Sequence, residues 1–157
     1  LQAFAQSTGG IDLARLSGAG TGPLAGSAVT PPAGSGFTPL DAHGAIDWRF
    51  ALPRLAGSAL VVPLAEELFW RSLVMRWIDS PRFLERSATA VSTRALALQA
   101  LLFGLEHDLW LAGIVAGLAY GLLYRYSGRL WPVALAHAVT NGVLGVWVLA
   151  TSNWTYW

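Results

Sequence analysis

The sequence predicts an all-α, polytopic transmembrane helix bundle: about four apolar helices preceded by a flexible Gly/Pro-rich N-terminal stretch. Composition is the first reason. Of 157 residues, 54% are hydrophobic and 12% charged, against about 25% charged in soluble domains; mean hydropathy is +0.48. The second is that four long apolar segments follow one another after residue 47. The third is where the charge sits, mostly between those segments and in a few places inside them. A formal net charge of +1 gives no reason to expect a polyanion, so no nucleic-acid partner is expected. The absence of Cys excludes disulfides and thiolate metal sites.

Residues 1–40 are rich in Gly, Ser, Thr, Ala and Pro, as in Gly18-Ala19-Gly20-Thr21-Gly22-Pro23. They lack sustained apolar periodicity and read as a flexible linker or extramembrane loop, with a weak short helix near Asp12 to Leu16. The chain opens on Leu1 without an initiator Met or a signal-peptide pattern, and is expected to be a fragment or mature C-terminal part of a longer protein. Phe37 to Trp48 forms a surface lead-in whose Asp47 is placed to cap the following helix.

The first apolar segment runs from Trp48 to Asp79. It contains Pro53 and Pro63, and a kink is expected near Pro63. The second runs from Thr89 to His107, the third from Leu109 to Tyr124, and the fourth from Leu130 to Ala150. A crossing takes about 20 apolar residues: the first and fourth meet this comfortably, and the second and third need their polar ends. Gly113, Gly117 and Gly121 recur at every fourth position of the third segment. Small residues so spaced let helix backbones approach closely, and an internal seam is expected rather than a homodimer motif. Arg76, Arg82, Arg86 and Arg94 lie between segments one and two, and Arg125 and Arg129 between three and four. Those loops share a side in a four-crossing alternation, which the positive-inside rule makes cytoplasmic. The tail from Thr151 to Trp157 then faces outward, its aromatics suited to an interfacial belt.

Against that background, the polar residues inside the apolar segments need a cause. A charge near a bilayer centre costs about 3 kcal/mol on insertion scales, yet segment one holds Glu66, Glu67 and Arg71. Glu67 and Arg71 are i,i+4 neighbours and can pair, whereas Glu66 is turned about 100° away and is left to face a cavity. Glu106 and His107 close segment two. His137 and Asn141 lie one turn apart on segment four and share a face.

These residue types suit hydrolysis of an amide bond. A carboxylate with a His partner can take a proton from water, and a second His with an amide can donate to a tetrahedral oxyanion. No His-Glu-x-x-His is present, and no Asp lies mid-segment to build an aspartyl dyad. A Glu/His/His metal site stays geometrically open. So does a non-enzymatic reading, in which a membrane binding module or proton-coupled transporter uses the same groups structurally. Upright helices would hold Glu66, His107 and His137 at different depths, so convergence requires tilt, the Pro63 kink or an outward-shifted cavity.

Glu66-Glu67-x-x-x-Arg71, Phe103-x-x-x-His107 and His137-x-x-x-Asn141, in order on successive apolar helices, resemble the three motifs of the CPBP family of CAAX-type intramembrane proteases, also called the Abi family. The surrounding residues, such as Val61-Val62-Pro63-Leu64-Ala65 and Glu106-His107-Asp108-Leu109-Trp110, resemble its bacterial exosortase-associated branch. The likeness covers roughly Gly36 to Trp157. It implies that residues 41–157 are the C-terminal part of an all-α intramembrane endopeptidase domain. Glu66 and His107 would activate water, and His137 and Asn141 would stabilise the oxyanion. Glu67, Arg71, Phe103 and Glu106 would support the site. It also implies no obligatory metal, with zinc on Glu66, His107 and His137 as the alternative. The partners would be the lipid bilayer and a membrane-embedded or membrane-anchored protein substrate, and the location the bacterial inner membrane, Arg-rich loops cytoplasmic. The family core has further helices upstream, where this chain has its Gly/Pro-rich stretch.

Overall fold

The computed structural model describes residues 38–157. The expected short helix near residues 12–16 and most of the expected linker lie outside the described residues. The last linker residues belong to a folded entry loop: Pro39 is buried and Leu40 bridges Ile46. Asp47 caps the first helix, its carboxylate accepting from Arg49 N at 3.0 Å.

The first helical run is built from three α-helical pieces, α1 (Trp48–Ala56), α2 (Val62–Glu67) and α3 (Met75–Asp79), joined by π-helical turns at Gly57–Val61 and Leu68–Val74. The backbone stays right-handed helical at the junctions. A π turn stands just before Pro63, where the sequence predicts a disturbance of the helix. Then come α4 (Thr93–Leu105), α5 (Trp110–Ser127) and α6 (Leu130–Thr151). The four runs match the four apolar segments, and no strand occurs among the described residues beyond the one isolated bridge. By itself, α6 is the one described helix long and apolar enough to cross a membrane; its 22 residues span about 33 Å at 1.5 Å each.

Ser92 caps α4, accepting from Ala95 N at 3.1 Å. Asp79, at the end of α3, accepts from Ser92 N at 2.7 Å and from Arg86 at 3.2 Å. One carboxylate thus ties the end of the first run to the start of α4. Met75, Val91, Leu96, Tyr120, Tyr124 and Val133 close the core at this end. The outward faces carry exposed Leu60, Trp77, Leu101, Leu111, Val115 and Val143, which lipid tails accept as readily as a protein core would.

The glycines of α5 face α4, so the seam is internal. A Cβ on Gly113 would stand 2.9 Å from Gly104 Cα and 3.2 Å from His107 Cβ, and one on Gly117 would stand 3.0 Å from Ala100 Cα. Backbone and short stems cannot swing aside. Gly113→Ala is expected to cost about 1–3 kcal/mol through overpacking, read as a lower thermal midpoint in detergent. An unchanged midpoint would mean that α4 and α5 are not held this close.

Candidate active site

Glu67 and Arg71 form the pair their spacing offers: Arg71 Nε lies 2.9 Å from Glu67 Oε2, both side chains fully buried. The Arg71 guanidinium stacks 4.5 Å from the Phe103 ring centroid and 5.6 Å from that of Tyr120, which replaces part of the hydration it has lost. The other oxygen of Glu67 reaches across to α6, where His137 Nδ1 lies 2.9 Å from Oε1. Arg71, Glu67 and His137 are thus one chain of contacts between two helices. Sequence reasoning paired Glu67 with Arg71 and missed its second partner, because nothing local records which helix packs opposite.

His137 is buried among aromatic rings, stacked 4.8 Å from Tyr120 and edge-on 6.0 Å from Phe103. With Nδ1–H donated to Glu67, its Nε2 is turned toward Glu66, 3.8 Å from Oε2. Glu66 is the less committed carboxylate, with its side chain 25% exposed and Oε2 without a hydrogen-bond partner.

His107 follows α4 in a short turn. Its Nδ1 lies 2.6 Å from Phe103 O. A carbonyl only accepts, so Nδ1 carries the proton in this contact and the neutral ring keeps a lone pair on Nε2. The contact also satisfies one of the last carbonyls of α4, which have no partner inside the helix. Phe103 packs 4.5 Å from the His107 ring, and Glu106 accepts from Trp70 Nε1 at 3.0 Å. Asn141 donates from Nδ2 to Ser58 O at 3.0 Å.

Glu66, His107, His137 and Asn141 line one cavity of about 530 Å³, together with Ser58 and Val62 among others. The difference in depth expected for upright helices does not keep them apart. The 13 residues of α4 rise only about 20 Å, less than the roughly 30 Å hydrocarbon core. Tyr156 and Trp157 also line the cavity. Arg54 Nη2 donates to Trp157 O at 3.1 Å, and its guanidinium lies 5.7 Å from the indole. Sequence reasoning gave these tail aromatics to an interfacial belt; their place on the cavity and the long-range contact of Trp157 with Arg54 were not legible there.

Zinc fits this arrangement poorly. Among the described residues no group of three or more His, Cys, Asp or Glu is placed to hold a metal ion, so Glu66, His107 and His137 share a cavity without forming a ligand set.

The family model for type II CAAX prenyl endopeptidases, Rce1-like, matches residues 48–143. The chain belongs to this family. That match spans more than half of the chain and includes all eight residues singled out above. Comparisons with curated proteins and with solved structures give no match. As a member of the Rce1-like family the chain is a CAAX-type endopeptidase and an integral membrane protein. Glu66, His107, His137 and Asn141 all lie within the matched residues and line the cavity described above.

Proposed function

We propose that this Rce1-like protein hydrolyses a peptide bond of a membrane-embedded or membrane-anchored protein, using a water molecule activated between Glu66 and His107. The water gives one proton to the Glu66 carboxylate and donates its second hydrogen to the lone pair on His107 Nε2. Its oxygen attacks the scissile carbonyl carbon. His137, held by Glu67 at Nδ1, directs Nε2 at the oxyanion and donates to it in its doubly protonated form, and Asn141 offers an amide N–H. On collapse the C–N bond breaks and Glu66 returns its proton to the leaving amine. Glu67, Arg71 and Phe103 fix the imidazole of His137, and Glu106 with Trp70 steadies the turn that carries His107. No step passes through a metal. The observation that supports this most is that Glu66 from the first run, His107 from the turn after α4, and His137 and Asn141 from α6 line the same cavity, while Glu67 is ion-paired with Arg71 and hydrogen-bonded to His137.

The test is cleavage of a prenylated CAAX peptide by the purified protein in detergent. Asn141→Ala is expected to lower kcat by about 10²–10³-fold, the usual cost of losing one oxyanion donor; an unchanged kcat removes Asn141 from that role. Prolonged chelation is expected to leave the rate unaltered, and a rate restored only by added zinc would replace this mechanism with a metal-assisted one. The same reading places the protein in the exosortase-associated branch and the bacterial inner membrane. The helix ends bearing Arg76 and Arg125, and the loops bearing Arg82, Arg86 and Arg129, then face the cytoplasm.

A further inference from the structure

The geometry points to Pro63 as a positioning residue for Asn141, acting through the main-chain carbonyl of Ser58. The use of Asn141 in catalysis rests on the function proposed above, but the contact does not.

In an α-helix the Ser58 carbonyl would accept from the N–H of residue 62. Here Val62 N–H is donated instead to Gly57 O, five residues back, in the π turn. In that π register Ser58 O would be served by residue 63, and residue 63 is a proline with no N–H to give. Both registers therefore pass the same carbonyl over. Ser58 O is part-buried, and a main-chain acceptor withdrawn from bulk water and left without a partner is costly. Asn141 fills the vacancy from α6, with Nδ2 donating to Ser58 O at 3.0 Å. The Ser58 hydroxyl does not compete, since it donates to Leu55 O at 3.1 Å. Close approach of α6 makes the reach short: a Cβ on Gly142 would come within 3.7 Å of Ala59 Cβ.

A carboxamide carries two N–H groups on one rigid plane. Tying the first to Ser58 O fixes that plane, and so aims the second within the cavity that Asn141 lines. A donor aimed in advance is what oxyanion stabilisation needs, because no reorganisation is then left for the moment of reaction. Pro63 is itself buried and does not line the cavity. Its contribution is the N–H it lacks.

The test uses the full chain in detergent micelles with ¹⁵N-labelled asparagine. The sequence has Asn only at 141 and 153, so two side-chain amide pairs appear, and Asn153→Ser assigns them. One of the two Asn141 amide protons is expected to be protected from exchange. Pro63→Ala offers Ser58 O a main-chain donor; protection of the Asn141 proton is expected to fall about tenfold, as for loss of one hydrogen bond, and its chemical shift to move. Pro53→Ala, earlier in the same run, is expected to change neither. In the cleavage assay Pro63→Ala should lower kcat with KM held, and should add nothing in an Asn141→Ala background. An Asn141 amide unchanged in folded Pro63→Ala overturns the proposal, whatever the activity does. A moved amide with unchanged kcat upholds the positioning contact and instead removes the oxyanion role, so the two failures are distinguishable. Should Pro63→Ala not fold, the ¹³C shift of the Ser58 carbonyl in Asn141→Ala reads the contact from its other side: movement supports it, and a constant shift overturns it.

Discussion

Glu66→Gln is expected to lower the turnover of a cleaved membrane substrate by about 10²–10⁴-fold, the range that general acid–base catalysis contributes, while leaving the fold intact. The two effects separate because of how Glu66 is held. Its Oε2 has no hydrogen-bond partner, and its nearest imidazole nitrogen is 3.8 Å away, so an amide of the same shape breaks no structural contact. What is lost is the ability to take a proton from water and return it to the leaving amine. Turnover and thermal midpoint measured on the same preparation decide the matter. Wild-type turnover in Glu66→Gln would sink the assignment of the base, and a collapsed midpoint would show that Glu66 is a structural group after all.

Arg71→Met is expected to destabilise the protein by about 3–5 kcal/mol, the cost of removing one partner from a buried ion pair. The remaining Glu67 carboxylate would be fully buried, with His137 as its remaining partner. Arg71→Lys should recover little, because the planar guanidinium lies close to both the Phe103 and Tyr120 rings and a lysine ammonium has no such face. The pairwise replacement Glu67→Leu with Arg71→Met discriminates stability from chemistry. Removing both charges should restore much of the stability, yet turnover should stay low because His137 Nδ1 has lost its acceptor. Denaturation in mixed micelles measures the first effect and the cleavage assay the second. A double variant that is both stable and fully active would show that the Arg71–Glu67–His137 chain has no part in catalysis.

Much of this was legible because it is local. Four apolar segments announce four helical runs, and the first and fourth keep their expected bounds to within a residue, while α4 is shorter than its segment. Asp47 sits where a cap is needed and takes that role. Glu67 and Arg71 meet because residues four apart share a helix face. The glycine series in α5 could be read as a seam, since three small side chains at that spacing have few other uses, although its partner helix could not be named.

Other features depend on which surfaces come together, and residue order does not record that. A π turn stands before Pro63, and the donor to Ser58 O beside it is Asn141, 78 positions after the proline. Tyr120 gave no signal of its own, being an aromatic in an apolar run, until packing set it against His137 and Arg71. The contact of Arg54 with the main-chain oxygen of Trp157 left no trace in residue order either.

By itself, the sequence determined an all-α membrane chain and the inventory of polar groups inside it, because hydropathy and helical spacing are properties of neighbouring residues. Only the tertiary structure decided which carboxylate is spent and which faces the cavity. Glu66 and Glu67 are chemically identical, and they differ only in what the opposite helices bring to each.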